Sequence, residues 1–421
     1  MNLQSRVNGD ERNQSNRCVI AYGLHNIEGG VSTVYLNLAK GLRAQGWRVF
    51  SVGVGTYAAR TYNPAFADEG SVILAPQETE IVPRVRAFLA WAEQEQIDLV
   101  IPNYESTIIA ALPCLPPRVR CLNICHGVIR SHYLAAVAHL SRLSRVVALS
   151  RFQERELLHR FGVPRSKLRL IPNGLDLDRF QRLQRVANRG EPLRLIYVGR
   201  VNNAHKGVLL IPPLLKELAS RDIPFSLQIV GSGVELPRLE AAIKRMGLKE
   251  AVTFLGQQPP EAIPELFEHS DMFIMPSRWE ASPMVLLEAM AAGCVPVATL
   301  LPGITDMMVT EGVNGFLCPM GKAGAFAEKI ARLHHDRQLL AEMSKMAQRR
   351  VAQGFSLERM AADYDQLFTQ VLAEPPLDWT PIPPEAAVYP WELQPTWRAK
   401  IPEPVKNFLR PWLLRLAGRL G

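Results

Sequence analysis

The chain has 421 residues, of which 48% are hydrophobic and 21% are charged, with 48 basic and 40 acidic side chains and a formal net charge of +8. This length predicts two or three domains, and the ordinary globular composition excludes wholesale disorder, a collagen-like fibre and a small disulfide-stapled scaffold. The excess of positive charge favours an anionic partner.

The N-terminal segment, residues 1–17, is polar and has no apolar stretch. A secretory signal is therefore not expected, and we interpret the segment as a disordered, solvated tail of a protein that stays in the cytoplasm. The longest weakly charged run, residues 284–304, contains Glu288, Gly293 and Pro296. These residues indicate a buried helix followed by a buried strand and not a transmembrane helix.

Short apolar runs alternate with amphipathic stretches along most of the chain. A first series includes RCVIAYGL, VYLNLAKGLRAQ, WRVFSVGVG, RCLNICHG and RVVALS, and a second includes LRLIYVGRV, FSLQIVGSG, DMFIMPS and VPVATLL. This alternation is typical of parallel strands joined by crossover helices. It predicts two doubly wound α/β domains, residues 18–181 and 193–355, joined by a polar linker at 182–192.

The last 50 residues hold ten of the 32 prolines and four of the seven tryptophans, which are Trp379, Trp391, Trp397 and Trp412. We expect residues 374–404 to form neither a regular helix nor a central strand and to wrap the surface with their aromatic side chains docked. Residues 404–420 are apolar on one side and basic on the other, as in an interfacial membrane helix. A helix packed on the protein's own body is the alternative.

Basic residues are concentrated between residues 130 and 169. No aromatic-interleaved or zinc-finger pattern accompanies them, so a nucleic acid is not expected as a partner, and a membrane surface or a phosphate ligand fits better. An ordinary solvated basic face is the alternative. The cluster consists of Arg130, Arg142, Arg145, Arg151, Arg155, Arg160, Arg165, Lys167 and Arg169.

The six cysteines do not form a disulfide or metal-binding pattern. They are scattered and mostly lie in apolar segments, which suits buried reduced thiols. Cys121, Cys125 and His126 are close in sequence, but no second ligand cluster with zinc spacing accompanies them. The sequence therefore predicts no zinc site.

Two glycine-containing loops follow predicted strands. Gly29 and Gly30 precede an amphipathic helix that begins near Val31, so a phosphate or a sugar can approach the backbone amides at its N-terminus. Gly231 and Gly233 follow a later strand. Neither loop has the G-x-G-x-x-G spacing of a dinucleotide-binding site.

The start of the second domain carries a more specific signal. Gly199 and Arg200 follow the strand LRLIYVG, and Lys206 and Gly207 come after a polar loop, where we expect them to open a helix. Two cations at the carboxyl end of a parallel strand, beside a helix N-terminus, predict an anion site suited to a diphosphate.

The strongest signal is a pair of glutamates with seven residues between them, in SRWEASPMVLLEAMAAGCVPVAT. Glu288 lies within an otherwise apolar stretch of predicted helix, where a carboxylate is costly to bury without a polar partner. The two neighbouring hydroxyl groups of a ribose are such a partner, because a carboxylate can accept both of their hydrogen bonds. Glu280 lies in the preceding loop, near where a transferred group and its phosphate are expected.

These motifs, with IPNGLD at 171–176 and the stretch FSLERMAADYDQLFTQVL, resemble glycosyltransferase family 4, the retaining enzymes of the GT-B fold. The similarity covers roughly residues 18–372, and the two glutamates in their EAMA context are its most specific part. It implies two Rossmann-like domains that face a cleft, and a helix at 356–372 that crosses back to the first domain. The Pro/Trp-rich extension 373–421 has no counterpart in the family pattern.

The resemblance also implies roles for individual residues. Arg200 and Lys206 would hold the donor diphosphate, Glu288 would bind the ribose, and His126 would face the reacting centre from the first domain. The implied catalytic residues are Glu280, His126, Arg200 and Lys206, and the implied donor-binding residues are Gly29, Gly30, Gly199, Arg200, Lys206, Gly231, Glu280, Ser282, Pro283, Met284, Val285 and Glu288. Many members have a G-F-G-like triplet after the first glutamate, where this chain has Ala281, Ser282 and Pro283, so the sugar is left open.

In this interpretation, two fixed cations and helix amides stabilise a departing nucleotide diphosphate, and neither a metal nor another cofactor is expected. Asp176 and Asp178 form a D-x-D pattern like the metal-binding motif of the other major glycosyltransferase fold, but they lie in a turn after a predicted strand. The expected partners are a nucleotide-sugar donor, a glycan or lipid-linked acceptor of envelope or exopolysaccharide synthesis, and the inner membrane face. The alternatives are a phosphorylase or epimerase on the same scaffold and a non-catalytic sugar-nucleotide-binding membrane scaffold.

Overall fold

The computed structural model describes residues 19–24, 30–64, 67–180, 183 and 192–387, which form two α/β domains as predicted. The strands and helices of the N-terminal domain are β1 (Val19–Gly23), α1 (Gly30–Ala44), β2 (Arg48–Val54), α2 (Gly55–Thr61), β3 (Ser71–Leu74), α3 (Ile81–Gln94), β4 (Leu99–Ile101), α4 (Ser106–Ala111), β5 (Arg120–Cys125), α5 (Arg130–Ala136), β6 (Arg145–Ala148), α6 (Arg151–His159) and β7 (Leu168–Leu170).

The N-terminal sheet is parallel throughout, with the strand order β3-β2-β1-β4-β5-β6-β7. Helices cover both faces of such a sheet, which explains why every residue of β1 and β5 is buried. The strand order reverses between β1 and β4. Open α/β sheets bind ligands outside the carboxyl ends of the strands at such a reversal.

The C-terminal domain repeats this design with a second parallel sheet, in the order β10-β9-β8-β11-β12-β13, which reverses between β8 and β11. Its elements, together with the helix that follows, are β8 (Leu193–Val198), α7 (Asn203–Lys206), α8 (Ile211–Ala219), β9 (Phe225–Val230), α9 (Leu236–Arg245), β10 (Val252–Gly256), α10 (Ile263–Glu268), β11 (Met272–Met275), α11 (Met284–Ala291), β12 (Val295–Thr299), β13 (Phe316–Cys318), α12 (Ala323–His335), α13 (Arg337–Gly354) and α14 (Leu357–Ala373).

Helix α14 crosses back and packs against α1 of the N-terminal domain, as the resemblance implied. The two helices approach closely because Gly41 has no side chain: a Cβ atom there would lie 2.5 Å from the Cβ of Ala361. The indole nitrogen of Trp47 donates to Asp365 at 2.8 Å. The crossing helix therefore belongs to the core of the first domain.

The beginning of the C-terminal extension, residues 374–387, is a strap on the N-terminal domain. The indole of Trp379 donates to the carbonyl of Pro113 at 3.0 Å, and Ala387 is buried. Glu374 pairs with Arg145. The expectation of an irregular, surface-wrapping segment is confirmed for Trp379, whereas the other three tryptophans and the amphipathic stretch 404–420 lie outside the described residues, as does most of the linker 182–192.

The predicted basic cluster is not one exposed face. Arg142 is fully buried, where it donates to the carbonyl oxygens of Pro116 and Val119, and Arg145 binds Glu374 of the strap. The residues of the cluster that are exposed are Arg130, Arg151, Arg155, Arg160 and Arg165. The five cysteines within the described part of the chain are free and buried. Across that same part of the chain, every helix is either too short or too polar to cross a bilayer.

Candidate functional site

At the carboxyl edge of the C-terminal sheet, two glycines allow the ends of β8 and β9 to approach each other. Gly199 has φ +154 and Gly231 has φ +127, values that L side chains rarely adopt. A Cβ atom at Gly231 would lie 2.0 Å from the carbonyl oxygen of Gly199. Of the two predicted donor-binding glycines in this domain, Gly199 therefore lies beside the reversal of the sheet, and Gly231 lies one strand further away from it, in contact with Gly199.

Lys206 is the last residue of helix α7, so the prediction that it opens a helix was wrong for this residue. Gly207 does precede a helical segment, because it is the N-cap of the 3-10 turn Val208–Leu210 that leads into α8. The side chain of Asn202 caps the start of α7. Gly207 ends it in the left-handed conformation, with φ +61, and a Cβ atom there would lie 2.0 Å from the carbonyl oxygen of Pro276. The short helix thus holds Lys206 against the loop that follows β11.

The structure brings two predicted catalytic residues into direct contact. Lys206 Nζ lies 2.7 Å from Glu280 Oε1, and Ser277 Oγ donates to the same oxygen at 2.7 Å. The lysine side chain is 18% exposed and the glutamate side chain 9% exposed. The carboxylate is therefore nearly buried and satisfied by one cation and one hydroxyl group, while the ammonium group keeps donor capacity toward the cleft.

Arg200 is exposed and lies beside the same cluster. The hydroxyl of Tyr197 donates to the Arg200 carbonyl oxygen at 2.8 Å. Burial raises the pKa of Tyr197, the charge of Glu280 raises it further, and the charge of Arg200 opposes both effects. Among the described residues no side chain forms an ion pair with the Arg200 guanidinium, so this cation is available to an anionic ligand.

The residues between Glu280 and Glu288 form the start of helix α11. Pro283 is its N-cap, and Met284 and Val285 form its first turn, where amides have no partner within the helix. Ser282 Oγ is buried and has no hydrogen-bond partner in the described structure. A helix N-terminus next to an unsatisfied hydroxyl group suits an anion with oxygen atoms.

Glu288 lies in the second turn of α11, in a hydrophobic setting. Burial raises the pKa of its carboxyl group, and the charge of Arg179 partly opposes the increase. No hydrogen bond from the described residues reaches this carboxylate. A buried carboxylate without a donor is costly, so Glu288 is the strongest candidate in this domain for binding hydroxyl groups of a ligand.

The N-terminal domain contributes Gly30 and His126. Gly30 is the exposed first residue of α1, with open space where a Cβ atom would be; Gly29 lies outside the described residues. His126 follows β5, and its Nε2 lies 3.0 Å from Tyr22 Oη and 3.2 Å from Asn103 Oδ1. Burial, followed by the neighbouring His132, lowers the pKa of His126 to about 3, so its ring is neutral at pH 7.

Sequence reasoning missed Ser277, Tyr197, Tyr22 and Asn103. Ser277 and Asn103 are each the second residue after a strand, β11 and β4 respectively. Tyr22 and Tyr197 lie next to the last residues of β1 and β8. Polar residues at the carboxyl ends of parallel strands gather at one edge of the sheet. Ser277 is the last residue of the predicted strand DMFIMPS, and its position at that end was the signal that could have found it.

Contacts between the two domains lie beside the cleft. The amide of Phe152, in the first turn of α6, donates to the carbonyl of Gly303 at 3.1 Å. Arg155 reaches the carbonyl of Pro302 at 3.4 Å, and the amide of Arg151 lies 3.2 Å from the sulfur of Met307. These contacts join α6 of the N-terminal domain to the segment between β12 and β13 of the C-terminal domain.

Both carboxylates of the D-x-D pattern form ion pairs with one lysine. Lys40 of α1 lies 2.6 Å from Asp176 and 3.1 Å from Asp178, and Asp176 also caps the turn that follows it. Within the described ranges there is no group of three or more His, Cys, Asp or Glu side chains arranged to hold a metal ion. These carboxylates therefore tie α1 to the segment between the domains.

Residues 28–179 match the family model described as Glycosyltransferase Family 4, and residues 178–350 match that of Glycosyl transferases group 1. The chain is 30% identical over 249 residues to D-inositol 3-phosphate glycosyltransferase of Nocardia farcinica, across 56% of this chain and 54% of the relative. It is 29% identical over 194 residues to the amylovoran biosynthesis glycosyltransferase AmsK of Erwinia amylovora, across 45% of this chain and 47% of the relative. The chain thus spans about half the length of the curated relatives it matches.

Among solved structures, the fold is similar to that of Anabaena HepE in complex with UDP-glucose, with a TM-score of 0.68 and 20% identity, covering 84% of this chain and 100% of the other. The two family models meet at the segment between the domains and together span residues 28–350. The observed pair of parallel α/β sheets is the architecture that the resemblance implied. The chain therefore belongs to glycosyltransferase family 4, with its two Rossmann-like domains in the GT-B arrangement.

Proposed function

We propose that the protein is a retaining glycosyltransferase that moves a hexosyl group from a nucleotide-diphosphate sugar to a glycan or lipid-linked acceptor in polysaccharide or glycoconjugate biosynthesis. The observation that carries this proposal is the grouping at the carboxyl edge of the C-terminal sheet. The Lys206–Glu280 pair lies there at 2.7 Å. The carboxylate of Glu288, which receives no hydrogen bond from the described residues, follows in the second turn of α11.

In the proposed reaction, the donor diphosphate lies between Arg200, Lys206 and the N-terminus of α11. Negative charge develops on the diphosphate as the bond to the sugar breaks, and fixed cations and helix amides stabilise that charge without moving. This arrangement supplies the electrostatic stabilisation from the chain itself, so the proposed reaction needs neither a metal nor another cofactor.

The two glutamates contact the other two parts of the donor, the ribose and the transferred sugar. Glu288 accepts hydrogen bonds from the ribose hydroxyl groups, which relieves the cost of its burial. Glu280, held by Lys206 and Ser277, lies against the donor sugar. His126 faces the same centre from the N-terminal domain, where the acceptor binds.

The test is a thermal-shift screen with UDP, GDP and ADP sugars, because a ligand that binds only the folded state raises the apparent stability. At least one donor should raise the Tm of the wild type and leave that of Lys206→Met almost unchanged. Lys216→Met, on the exposed side of α8, is the matched control and should respond like the wild type. The HepE structure contains UDP-glucose, so UDP sugars are the first to try.

The products formed from the nucleotide sugar distinguish a transferase from a phosphorylase, an epimerase and a non-catalytic binding protein. A transferase releases nucleoside diphosphate without added phosphate, a phosphorylase requires phosphate, and an epimerase returns the nucleotide sugar in a new configuration. A binding protein or membrane scaffold would give a thermal shift with no product. Release of nucleoside diphosphate that is lost in Glu280→Gln would support transfer.

We further propose that the protein works in the cytoplasm at an anionic membrane surface, where a lipid-linked acceptor would lie. Support comes from the exposed Arg130, which lies beside the exposed Ile129 at the start of α5. Each basic residue near an anionic bilayer contributes about 1 kcal/mol of attraction. The strap ties the chain leading into the amphipathic stretch 404–420 to this same domain.

A further inference from the structure

We propose that Asn103 is a positioning residue that holds the imidazole of His126 as the Nε2–H tautomer, so that Nδ1 is left as a hydrogen-bond acceptor for a hydroxyl group in the cleft. The inference rests on the proposed function for its consequence in catalysis. The tautomer itself is a property of the free protein. It can therefore be measured without any substrate.

The side chain of Asn103 has a fixed orientation. The residue is buried, and its Nδ2 donates to the backbone carbonyl of Gly23 at 3.0 Å. A carbonyl oxygen only accepts, so the nitrogen of the amide must face Gly23 and the oxygen, Oδ1, must face the other way. Asn103 also adopts a left-handed backbone conformation, with φ +48. Asparagine tolerates this conformation better than most residues other than glycine.

Asn103 Oδ1 determines which nitrogen of His126 carries the proton. It lies 3.2 Å from His126 Nε2. Two lone pairs facing each other at this distance would repel, whereas an Nε2–H group donates to Oδ1. Tyr22 Oη, 3.0 Å from the same nitrogen, is a hydroxyl group that can both donate and accept. Tyr22 is therefore compatible with either tautomer of His126, and the tautomer is determined by Asn103.

The ring of His126 is held in place by its aromatic neighbours. Tyr104 packs edge-on against it with the ring centroids 6.0 Å apart, and Tyr22 lies on another side at 6.4 Å. Burial keeps the pKa of His126 low, at about 3, so a second proton does not bind at Nδ1 near pH 7. With Nε2–H committed to Asn103, Nδ1 carries a lone pair. No described residue donates a hydrogen bond to it.

This arrangement has a chemical consequence for the bound substrate. An acceptor nitrogen at the reacting centre can bind a sugar hydroxyl group as donor, and it cannot donate to a phosphate or carbonyl oxygen. The other tautomer would present N–H, from which the same hydroxyl group could only accept, so the hydroxyl proton would lose its acceptor. Losing the tautomer should therefore lower the rate of transfer while leaving diphosphate binding intact, because Lys206 and α11 belong to the other domain.

The test replaces Asn103 by glycine, which keeps the left-handed backbone without strain and removes only the side chain. The matched control is Gln96→Gly, an exposed residue of the same domain with φ +52. A second variant, Tyr22→Phe, removes the hydroxyl group and keeps Asn103. The tautomer is read from long-range ¹H–¹⁵N NMR spectra of ¹⁵N-histidine protein, in which His126→Gln identifies the signal.

The wild type, Gln96→Gly and Tyr22→Phe should show His126 with the proton on Nε2, and Asn103→Gly should show a mixture with a large Nδ1–H fraction. In turnover, Asn103→Gly should lower kcat on the order of 10- to 100-fold with little change in the donor KM. An Nδ1–H signal in the wild type, or an unchanged tautomer in Asn103→Gly, would overturn the inference. Failure of the proposed function would look different, because no nucleotide sugar would then shift the Tm of the wild type.

Discussion

Replacing Lys206 by methionine tests two roles of this residue: neutralising the charge of Glu280 and binding the donor diphosphate. Its ammonium group lies 2.7 Å from Glu280, and the two side chains are 18% and 9% exposed. At an effective dielectric constant of 20, this distance corresponds to about 6 kcal/mol of attraction. Desolvation of both charges offsets most of it. Ser277 still donates to Glu280 in the variant, so we expect a net loss of about 2 kcal/mol in the free energy of unfolding.

Urea unfolding and calorimetric titration together provide the assay. The titrant is the nucleoside diphosphate of the donor identified in the thermal-shift screen, taken as UDP because UDP sugars are tried first. In the double variant Lys206→Met/Glu280→Gln no charge is left unpaired, so at least half of the lost stability should return. The affinity for UDP should fall at least tenfold in the single variant, since one charge-assisted contact to the diphosphate is worth 1.4 kcal/mol or more. It should stay low in the double variant. Wild-type affinity in the double variant would refute the reasoning, because Lys206 would then only balance Glu280.

Three further predictions follow from the same structure. Glu288→Gln should raise the donor KM on the order of tenfold with a smaller change in kcat, as kinetics with varied donor would show, and an unchanged KM would assign the residue to structure alone. His126 has a folded pKa of about 3 against an unfolded value near 6.5. The unfolded chain therefore binds the proton first, and stability should be lost as the pH falls from 6.5 toward 3, with a slope of up to about 1.4 kcal/mol per pH unit. Urea unfolding across this range should give a shallower slope for His126→Gln and an unchanged slope for the exposed control His269→Gln. Deleting residues 401–421 should reduce co-sedimentation with anionic vesicles at low salt and leave UDP binding intact; full-length protein that stays in the supernatant would contradict the membrane role.

The alternation of apolar runs was sufficient to predict both domains, because parallel strands buried on both faces leave a strong signal. The crossing helix was implied only by the resemblance, as residues 356–372, and the structure has a helix at Leu357–Ala373. The pair Glu280 and Glu288 was conspicuous for a related reason: charged residues stand out in apolar surroundings. Their neighbour Lys206 was placed wrongly at a helix start, because nothing in the local sequence marks the four-residue helix α7 that Gly207 ends in the left-handed conformation.

Other features depend on contacts between residues distant in the sequence. Arg142 looked like part of a solvated basic face, and it is buried because the carbonyl oxygens of two loop residues meet its guanidinium. The partners of His126 come from β1 and from the second residue after β4, about 100 and 20 positions away along the chain. Only the strand order β1-β4-β5 brings them together. Nothing in the local sequence marks Asn103 as different from any other asparagine after a strand.

The central claim is that a nucleotide-diphosphate sugar reacts in this cleft with retention of configuration. The most direct measurement incubates the protein with UDP-glucose, GDP-mannose and ADP-glucose in turn, with water as the acceptor, and follows the anomeric proton of the released sugar by NMR before it equilibrates. These donors carry α-linked sugars. Our account predicts that at least one of them releases nucleoside diphosphate together with the α anomer, and that Glu280→Gln abolishes the release. Initial formation of the β anomer, or no release from any donor, would contradict it.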